Sequence, residues 1–142
     1  MKKLLICAFL AFSMLGCNDR HNNDPITHPN NLSKSKLLIE HNKHRNSPLE
    51  MDGGLEEFAQ SHAEWMASKD NLKHSDLNVS GNWMRLGENI AWGQNNEEYV
   101  TRSWMKSRGH RANITNSRFT HVGFGYSKTS DGRLYWCAVF GG

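Results

Sequence analysis

The sequence has little of what marks a disulfide-stapled, membrane-spanning or nucleic-acid-binding protein. Its 142 residues include three cysteines, Cys7, Cys17 and Cys137, too few for the paired framework of small secreted domains. No apolar run approaches the roughly 20 residues that a transmembrane helix needs. The formal charge is only +3 and no long basic run is present, so we expect no nucleic-acid partner.

The first 16 residues have the pattern of an export signal. Lys2 and Lys3 precede an apolar run of 12 residues, Leu4–Leu15, which suits a secretory leader. The tetrapeptide MLGC, ending at Cys17, resembles the lipobox of bacterial lipoproteins, in which the cysteine after the cut receives lipid. We therefore predict a lipoprotein signal peptide over residues 1–16 and lipidation of Cys17. An ordinary cleaved signal is the alternative.

The residue after Cys17 indicates the membrane to which the lipoprotein is sent. If the lipobox resemblance holds, Asn18 in place of aspartate favours the outer membrane of a Gram-negative cell. We expect an outer-membrane lipoprotein facing the periplasm or the cell surface, attached to the membrane through lipid on Cys17. The alternative is a soluble periplasmic or secreted protein. If Cys17 carries no lipid, a disulfide between Cys17 and Cys137 is the other use of these cysteines.

The mature chain divides into a polar segment and one domain. Residues 17–35 are rich in asparagine and contain two of the three prolines, so they cannot bury enough apolar surface to fold and are predicted to form a flexible tether. Residues 36–142 form the predicted domain, whose size suffices for one core without disulfides.

Helical periodicity dominates the first half of that domain. The segment from Lys36 is predicted to be helical, with Ser33 or Ser35 as its cap. A second helix is predicted from Gly54 to Lys69, because its apolar residues recur at helical spacing. His62 falls within this apolar face, so it is interpreted as a packed core residue without a functional role.

The second half of the domain is predicted to form a short strand, a helix and a hairpin. The segment ENIAWG is predicted to be extended, and a third helix is predicted to begin at Asn95, with Glu98 completing the cap, and to end at Gly109. Two apolar segments, HVGFGYS and LYWCAVF, flank Asp131-Gly132, a strong hairpin turn signal. This order predicts an α+β fold with helices packed on an antiparallel sheet.

Six short motifs in a fixed order resemble the CAP superfamily, which includes cysteine-rich secretory proteins, plant pathogenesis-related proteins and venom allergens. They are HNKHR at 41–45, LKHS at 72–75, GENIAWG at 87–93, SWM and GHRANI within 103–114, VGFGY at 122–126 and YWCAVFG at 135–141. The resemblance covers residues 36–142 and is nearest to the shorter bacterial members. It implies an α-β-α sandwich with a central antiparallel sheet between helices.

The resemblance also implies a cleft that holds two histidines and two acidic residues. By motif position, His74 and His110 match the histidines and Glu88 matches the first acid. The second acid lies three residues after the helix tryptophan, Trp104, where this chain has Ser107. The predicted group of four is therefore incomplete, which argues for binding over a reaction that needs two carboxylates.

The three matching residues suit metal chemistry. Neutral imidazoles bind Zn²⁺, so His74 and His110 are candidate metal ligands, with Glu88 as a third ligand or as a general base towards water. Their separations in sequence lack the local spacing of a zinc motif such as H-E-x-x-H. Singly, each residue has a structural interpretation: a cap for His74, a loop corner for Glu88 and a helix C-terminus for His110.

Three functions remain open from the sequence. The first is a binding module of the cell envelope that presents its cleft to a small ligand, a lipid, a divalent metal or another envelope component. The second is a metal-assisted hydrolase, a peptidase or cell-wall enzyme, with His74 and His110 on Zn²⁺ and Glu88 activating water. The third is a structural envelope protein with a vestigial cleft. Trp92, Trp104, Trp136 and Cys137 are predicted to belong to the core.

Overall fold

The computed structural model describes residues 31–142, which fold into four helices and four strands. In chain order these are α1 (Lys34–Asn42), β1 (Glu50–Met51), α2 (Gly53–Lys69), β2 (Leu86–Trp92), α3 (Glu97–Lys106), α4 (Arg108–Thr115), β3 (His121–Lys128) and β4 (Leu134–Gly141). The predicted signal peptide, Cys17 and the tether as far as residue 30 lie outside the described residues. Within residues 31–142, none of the helices has the length and apolar character that crossing a membrane requires.

The strands form one sheet in the order β1-β3-β4-β2. The predicted hairpin is confirmed: β3 and β4 pair antiparallel, and Gly132 in their turn has a φ of 89°, a conformation that favours glycine. β2 also pairs antiparallel with β4. The unpredicted β1 pairs with β3 in parallel, so the sheet is mixed rather than wholly antiparallel. Two residues are too few to give a period-2 signal in the sequence.

Helices cover both faces of the sheet, which confirms the α+β class and the α-β-α layering. The central strand β4 is buried along its whole length, and its side chains alternate between two cores. Tyr135, Cys137 and Val139 face the core under α2. Trp136, Ala138 and Phe140 face the core under α1, α3 and α4, as part of a cluster with Leu37 and Trp104. Trp104 and Trp136 are core residues as predicted, whereas Trp92 is 48% exposed.

Two glycines of β3 allow α2 to lie with its backbone directly on the sheet. A Cβ added to Gly123 would stand 2.0 Å from the carbonyl carbon of Leu55, and one added to Gly125 would stand 2.3 Å from the carbonyl oxygen of Ala59. The glycines are two apart on the strand and their contacts are four apart on the helix, so one sheet face meets one helix face. The G-x-G spacing in VGFGY is therefore a helix-packing requirement.

The start of the domain lies slightly before the predicted boundary at residue 36. Ser33 is the N-cap of α1, as one of the two predicted candidates, and its side chain accepts from the Lys36 N–H. The Ser33 N–H donates to Glu97 at 2.6 Å, and Tyr126 donates its hydroxyl to the Leu32 carbonyl at 2.9 Å. Residues 32–35, placed in the tether by sequence, thus contact the folded domain.

The segment after α3 differs from the prediction. The cap of α3 is Asn96 rather than Asn95, and the helix ends at Lys106, before extended Ser107. Gly109 does not terminate a helix in a left-handed conformation, because it lies inside the unpredicted helix α4. α4 buries a single residue, Ile114, so it lacks the apolar stripe by which a helix is found in a sequence.

α4 is held by polar contacts instead of a broad apolar face. Arg45 donates to the carbonyls of Ile114, Asn116 and Phe119 at 2.7–2.9 Å, which satisfies acceptors at the helix C-terminus. From the other side, Asn113 donates to the Glu88 carbonyl at 3.2 Å. Arg45 thus holds the C-terminal end of α4, and Asn113 docks the helix against strand β2.

The sheet edge at β2 is closed by side chains. Because β2 has a neighbour only on the β4 side, its outer carbonyls need other partners. Trp104 donates its indole N–H to the Ile90 carbonyl at 3.1 Å, and Asn113 covers the Glu88 carbonyl. α3 and α4 are thereby fixed to the strand that carries Glu88.

Replacing Gly123 with alanine should destabilise the whole domain. The added methyl would overlap the α2 backbone, which cannot move aside as a flexible side chain can, so we expect the free energy of unfolding to fall by more than about 3 kcal/mol. Urea denaturation followed by circular dichroism measures this change. The matched control is Gly109→Ala, where a Cβ meets nothing within 4 Å and a helix favours alanine by up to about 1 kcal/mol. Equal unfolding midpoints for Gly123→Ala and wild type would contradict the packing.

Candidate functional site

Glu88 is the centre of the candidate site, and it is a buried carboxylate. It lies on β2 and only 6% of its surface is exposed. Oε1 accepts from His74 Nδ1 at 2.6 Å and from the Ser75 backbone N–H at 3.0 Å. Oε2 accepts from the Ser75 hydroxyl at 2.6 Å. Both oxygens are therefore used within the protein, as a buried charge requires.

These bonds attach an irregular segment to the sheet. Residues 71–80 contain neither helix nor strand, and the Ser75 hydroxyl also accepts from the Leu77 N–H at 3.1 Å. Leu77 has a φ of 50°, a left-handed conformation that a bulky side chain rarely adopts. The Glu88 carboxylate thus holds the segment that carries His74 in a defined conformation.

His74 is oriented by Glu88 but otherwise open to solvent, with 60% of its side chain exposed. A carboxylate only accepts hydrogen bonds, so the contact at Nδ1 places a proton on that nitrogen. In the neutral ring the other nitrogen, Nε2, then carries a free lone pair. A carboxylate partner of this kind also increases the basicity of an imidazole ligand.

His110 lies close enough to His74 for their charges to interact. It is the third residue of α4, near the helix N-terminus rather than at the C-terminus suggested by its sequence context. Burial lowers the pKa of His110 below its usual value, and the charge of nearby His74 lowers that pKa further. His110 therefore favours the neutral form, the form that binds metal ions.

An asparagine pair connects the His110 helix to the Glu88 strand. Asn89, which is fully buried, donates to the His110 carbonyl at 3.0 Å and accepts from Asn113 at 2.9 Å. Asn113 donates as well to the Glu88 carbonyl. The motifs GEN and GHRAN thus form one hydrogen-bonded unit, which accounts for the asparagine in each.

Ser107 lies at the junction of α3 and α4, in extended conformation. It is both the C-cap of α3 and the residue before α4, and its side chain makes no capping hydrogen bond to α4. It supplies a hydroxyl and no carboxylate, so Glu88, which contacts His74, is the one acid of the predicted group of four.

His62, interpreted from the sequence as a core residue without function, borders the site instead. Its Nε2 lies 2.8 Å from the Lys73 carbonyl and 3.9 Å from Glu88 Oε2. The helical projection explains the error: the buried stripe of α2 is Leu55, Ala59, Ala63, Met66 and Ala67, and Phe58 and His62 project beside that stripe. Periodicity in the sequence does not distinguish a buried stripe from the groove wall at its edge.

A groove of about 660 Å³ separates α2 from the segment that carries His74. Phe58, Ser61, His62 and Trp65 line one side, and residues 73–76 line the other. The volume is typical of sites for small molecules. Trp65 was not singled out in the sequence, although its spacing of seven residues from Phe58 places both on one helix face.

Cys137 lies beneath the site, 1% exposed, as predicted for a small core residue. Its Sγ is 3.9 Å from Glu88 Oε2, and burial, followed by the Glu88 charge, raises the pKa of the thiol well above its usual value. It is a free thiol. The alternative disulfide involves Cys17, which lies outside the described residues.

The site contains two imidazoles, on His74 and His110, that are candidate metal ligands. Across residues 31–142, no group of three or more His, Cys, Asp or Glu side chains is arranged to hold a metal ion. His74 and His110 can supply two nitrogens, while Glu88 acts behind His74. Such a set fits an ion that keeps water in its other positions.

Known proteins resemble this chain in both sequence and structure. The family model described as "Cysteine-rich secretory protein family" (CAP) matches residues 20–140. The uncharacterized protein YkwD of Bacillus subtilis is 36% identical over 89 residues, 56% of this chain and 35% of that protein. The chain therefore spans about a third of the length of that curated relative.

Solved structures agree on the fold. An outer surface protein from Borrelia burgdorferi superposes with a TM-score of 0.63 at 21% identity, covering 75% of this chain and 86% of that one. The structure of NaASP2 with Zn²⁺ has a TM-score of 0.59 at 16% identity and covers 79% of this chain and 82% of that one. At these identities, the two structures support the α-β-α architecture alone.

Substituting Glu88 with glutamine should loosen the segment that carries His74. A neutral amide has one acceptor oxygen in place of two, and bonds to charged groups contribute about 1.5–3 kcal/mol each. We expect amide hydrogen exchange over residues 73–76 to become at least about tenfold faster, since tenfold is about 1.4 kcal/mol. The control is Glu98→Gln, whose side chain is 65% exposed on α3. Unchanged exchange at the Ser75 amide in Glu88→Gln would refute this role.

Proposed function

The chain belongs to the cysteine-rich secretory protein (CAP) family, and we propose that its domain is an exported binding module in which His74 and His110 hold a divalent metal ion. The observation that carries the proposal is the 2.6 Å contact between His74 Nδ1 and the buried Glu88 carboxylate. That contact leaves Nε2 of an exposed ring free to act as a ligand.

Glu88 has the position of a supporting residue for a metal ligand. Histidines that bind metals usually donate their other N–H to a carboxylate, which fixes the ring and its tautomer. Burial lowers the pKa of His110 and so favours its neutral form. Zn²⁺ suits this site because imidazole nitrogen is among its preferred ligands. The bound ion would offer open coordination positions to an oxygen or nitrogen of an envelope ligand.

Binding fits the residues better than hydrolysis does. A general base needs a lone pair directed at water in the cleft, but both Glu88 oxygens accept hydrogen bonds from His74 and Ser75. Ser107 provides no second carboxylate. NaASP2, whose structure was determined with Zn²⁺, has the same fold, so bound zinc is compatible with this architecture.

Export is the second part of the proposal. The basic and apolar leader over residues 1–16 and the lipobox-like MLGC both have the pattern of export signals. One structural relative is an outer surface protein. We propose that lipid on Cys17 anchors the domain in the envelope, with the segment after it as a spacer.

Zinc binding should depend on both histidines. Calorimetric titration of the purified protein with Zn²⁺ should show one site that His74→Ala or His110→Ala abolishes. Glu88→Gln should weaken the site by about 10–100-fold, the usual effect of losing a carboxylate behind a ligand. Binding should also decline below about pH 6, where imidazoles protonate.

The control for this titration is His44→Ala, because His44 is an exposed histidine on the surface. It should bind zinc as wild type does. Equal zinc affinity in the wild type and the His74→Ala, His110→Ala double variant would overturn the metal proposal. Peptide or glycan hydrolysis that Glu88→Gln abolishes would favour the hydrolase alternative.

Membrane attachment should depend on Cys17. The variant Cys17→Ser removes the thiol that receives lipid, so we expect the protein to move from the membrane fraction to the soluble fraction of lysed cells. The control is Cys137→Ser, which leaves the lipobox-like segment unchanged. Membrane retention of Cys17→Ser would contradict anchoring at this residue.

A further inference from the structure

An aromatic strip lies beside His74, outside the proposed metal ligands. It consists of Phe58, His62 and Trp65, at positions i, i+4 and i+7 of α2, and it lines the groove. The adjacent stripe of α2 is buried on the sheet. Phe58 packs against that core at the edge of the stripe, whereas Trp65 lies outside it. Trp65 is 40% exposed, a large apolar surface at the edge of a cavity.

Two rings of the strip form an ordered platform in which one ring is stacked on the other. The His62 and Trp65 rings are parallel to within 8°, with centroids 5.7 Å apart. His62 is held in place by its contact with the Lys73 carbonyl at 2.8 Å. A platform ordered before binding loses little side-chain entropy when a ligand stacks on it.

The rim of the groove is polar and balanced in charge. Ser61 lines the groove on α2, and Lys73 and Asp76 line it from the facing segment. Lys73 and Asp76 are exposed, and the salt bridges found among residues 31–142 involve neither of them. The rim therefore offers donors and acceptors but no excess charge.

We propose that this groove binds a neutral saccharide, with one sugar ring lying on the His62–Trp65 platform and its hydroxyls bonded to Lys73 and Asp76. A pyranose has an apolar C–H face and a polar edge, which match a flat aromatic surface with a mixed polar rim. The volume of about 660 Å³ accommodates more than one ring. The inference rests on the proposed binding function, because the groove and the proposed metal site both use the segment that carries His74.

Other ligand classes match the groove less well. An acyl chain needs an enclosed apolar channel, whereas Ser61, Lys73 and Asp76 make much of this wall polar. Lys73 and Asp76 carry opposite charges. Asp76 would therefore repel a polyanion, and Lys73 would repel a polycation. A short peptide is the remaining competitor, and titration with a neutral tripeptide distinguishes it from a saccharide.

Titration of the protein with chitotriose and with cellotriose, two neutral trisaccharides, tests the proposal. Heteronuclear NMR should show saturable shifts of the Trp65 indole N–H with at least one of them. Trp65→Ala should weaken that affinity by about tenfold or more, as loss of a stacking ring does. Asp76→Asn should weaken the affinity by several-fold through the lost charge-assisted bond.

Trp92→Ala is the matched control, because Trp92 is 48% exposed but packs against Arg133 away from the groove. It should bind saccharide as wild type does. Absence of binding by both trisaccharides at millimolar concentration overturns the inference, as does equal affinity in wild type and Trp65→Ala. A neutral tripeptide that binds when the saccharides do not also overturns it.

The zinc and saccharide proposals can fail separately. Trp65→Ala should bind zinc with the affinity of the wild type. The His74→Ala, His110→Ala double variant should still bind saccharide, with shifts of the Trp65 indole N–H. Zinc binding without saccharide binding overturns this inference alone. Saccharide binding without zinc binding overturns the metal proposal alone.

Discussion

The contact of the α2 backbone with Gly123 and Gly125 of β3 is the constraint on which the rest of the domain depends. No other residue type leaves room for a helix backbone at this distance from a strand. The contact places the buried stripe of α2 on the sheet and turns its neighbouring aromatic strip towards the cleft. A helix packed at an ordinary distance, on side chains, would move His62 and Trp65 away from the segment that carries His74.

The second organising feature is the buried charge of Glu88. A carboxylate in this position is stable only when its oxygens are paired, and its partners come from a segment without regular structure. The same bonds that satisfy Glu88 therefore order residues 73–76 and orient His74. Because the Glu88 oxygens are paired within the protein, the groups left at the surface are imidazoles, a stacked aromatic pair and a mixed polar rim. Those groups suit recognition more than bond cleavage.

Much of this could be predicted from particular residues. The hairpin followed from Asp131-Gly132 and two apolar segments, and the α+β class followed from the element order. His74, Glu88 and His110 were found through motif order, and the structure brings His74 into contact with Glu88 and within charge range of His110. α4 was missed because Ile114 is its one buried residue and polar contacts with Arg45 and Asn89 hold it. His62 was assigned to the core because helical periodicity cannot separate a buried stripe from its edge.

By itself, the sequence determined the local choices: the first two helices, the hairpin turn at Asp131-Gly132 and the two apolar segments that flank it. It also supplied the chemical identities in the cleft, including serine at position 107 where related sites have an acid. Only the tertiary structure decided how those groups face one another. The short hydrogen bond from His74 to Glu88, the groove between the aromatic strip of α2 and residues 73–76, and the docking of α4 on β2 all join residues from different elements. Such pairings leave no periodic trace in a sequence, because they depend on the distance between elements and not on the spacing within one.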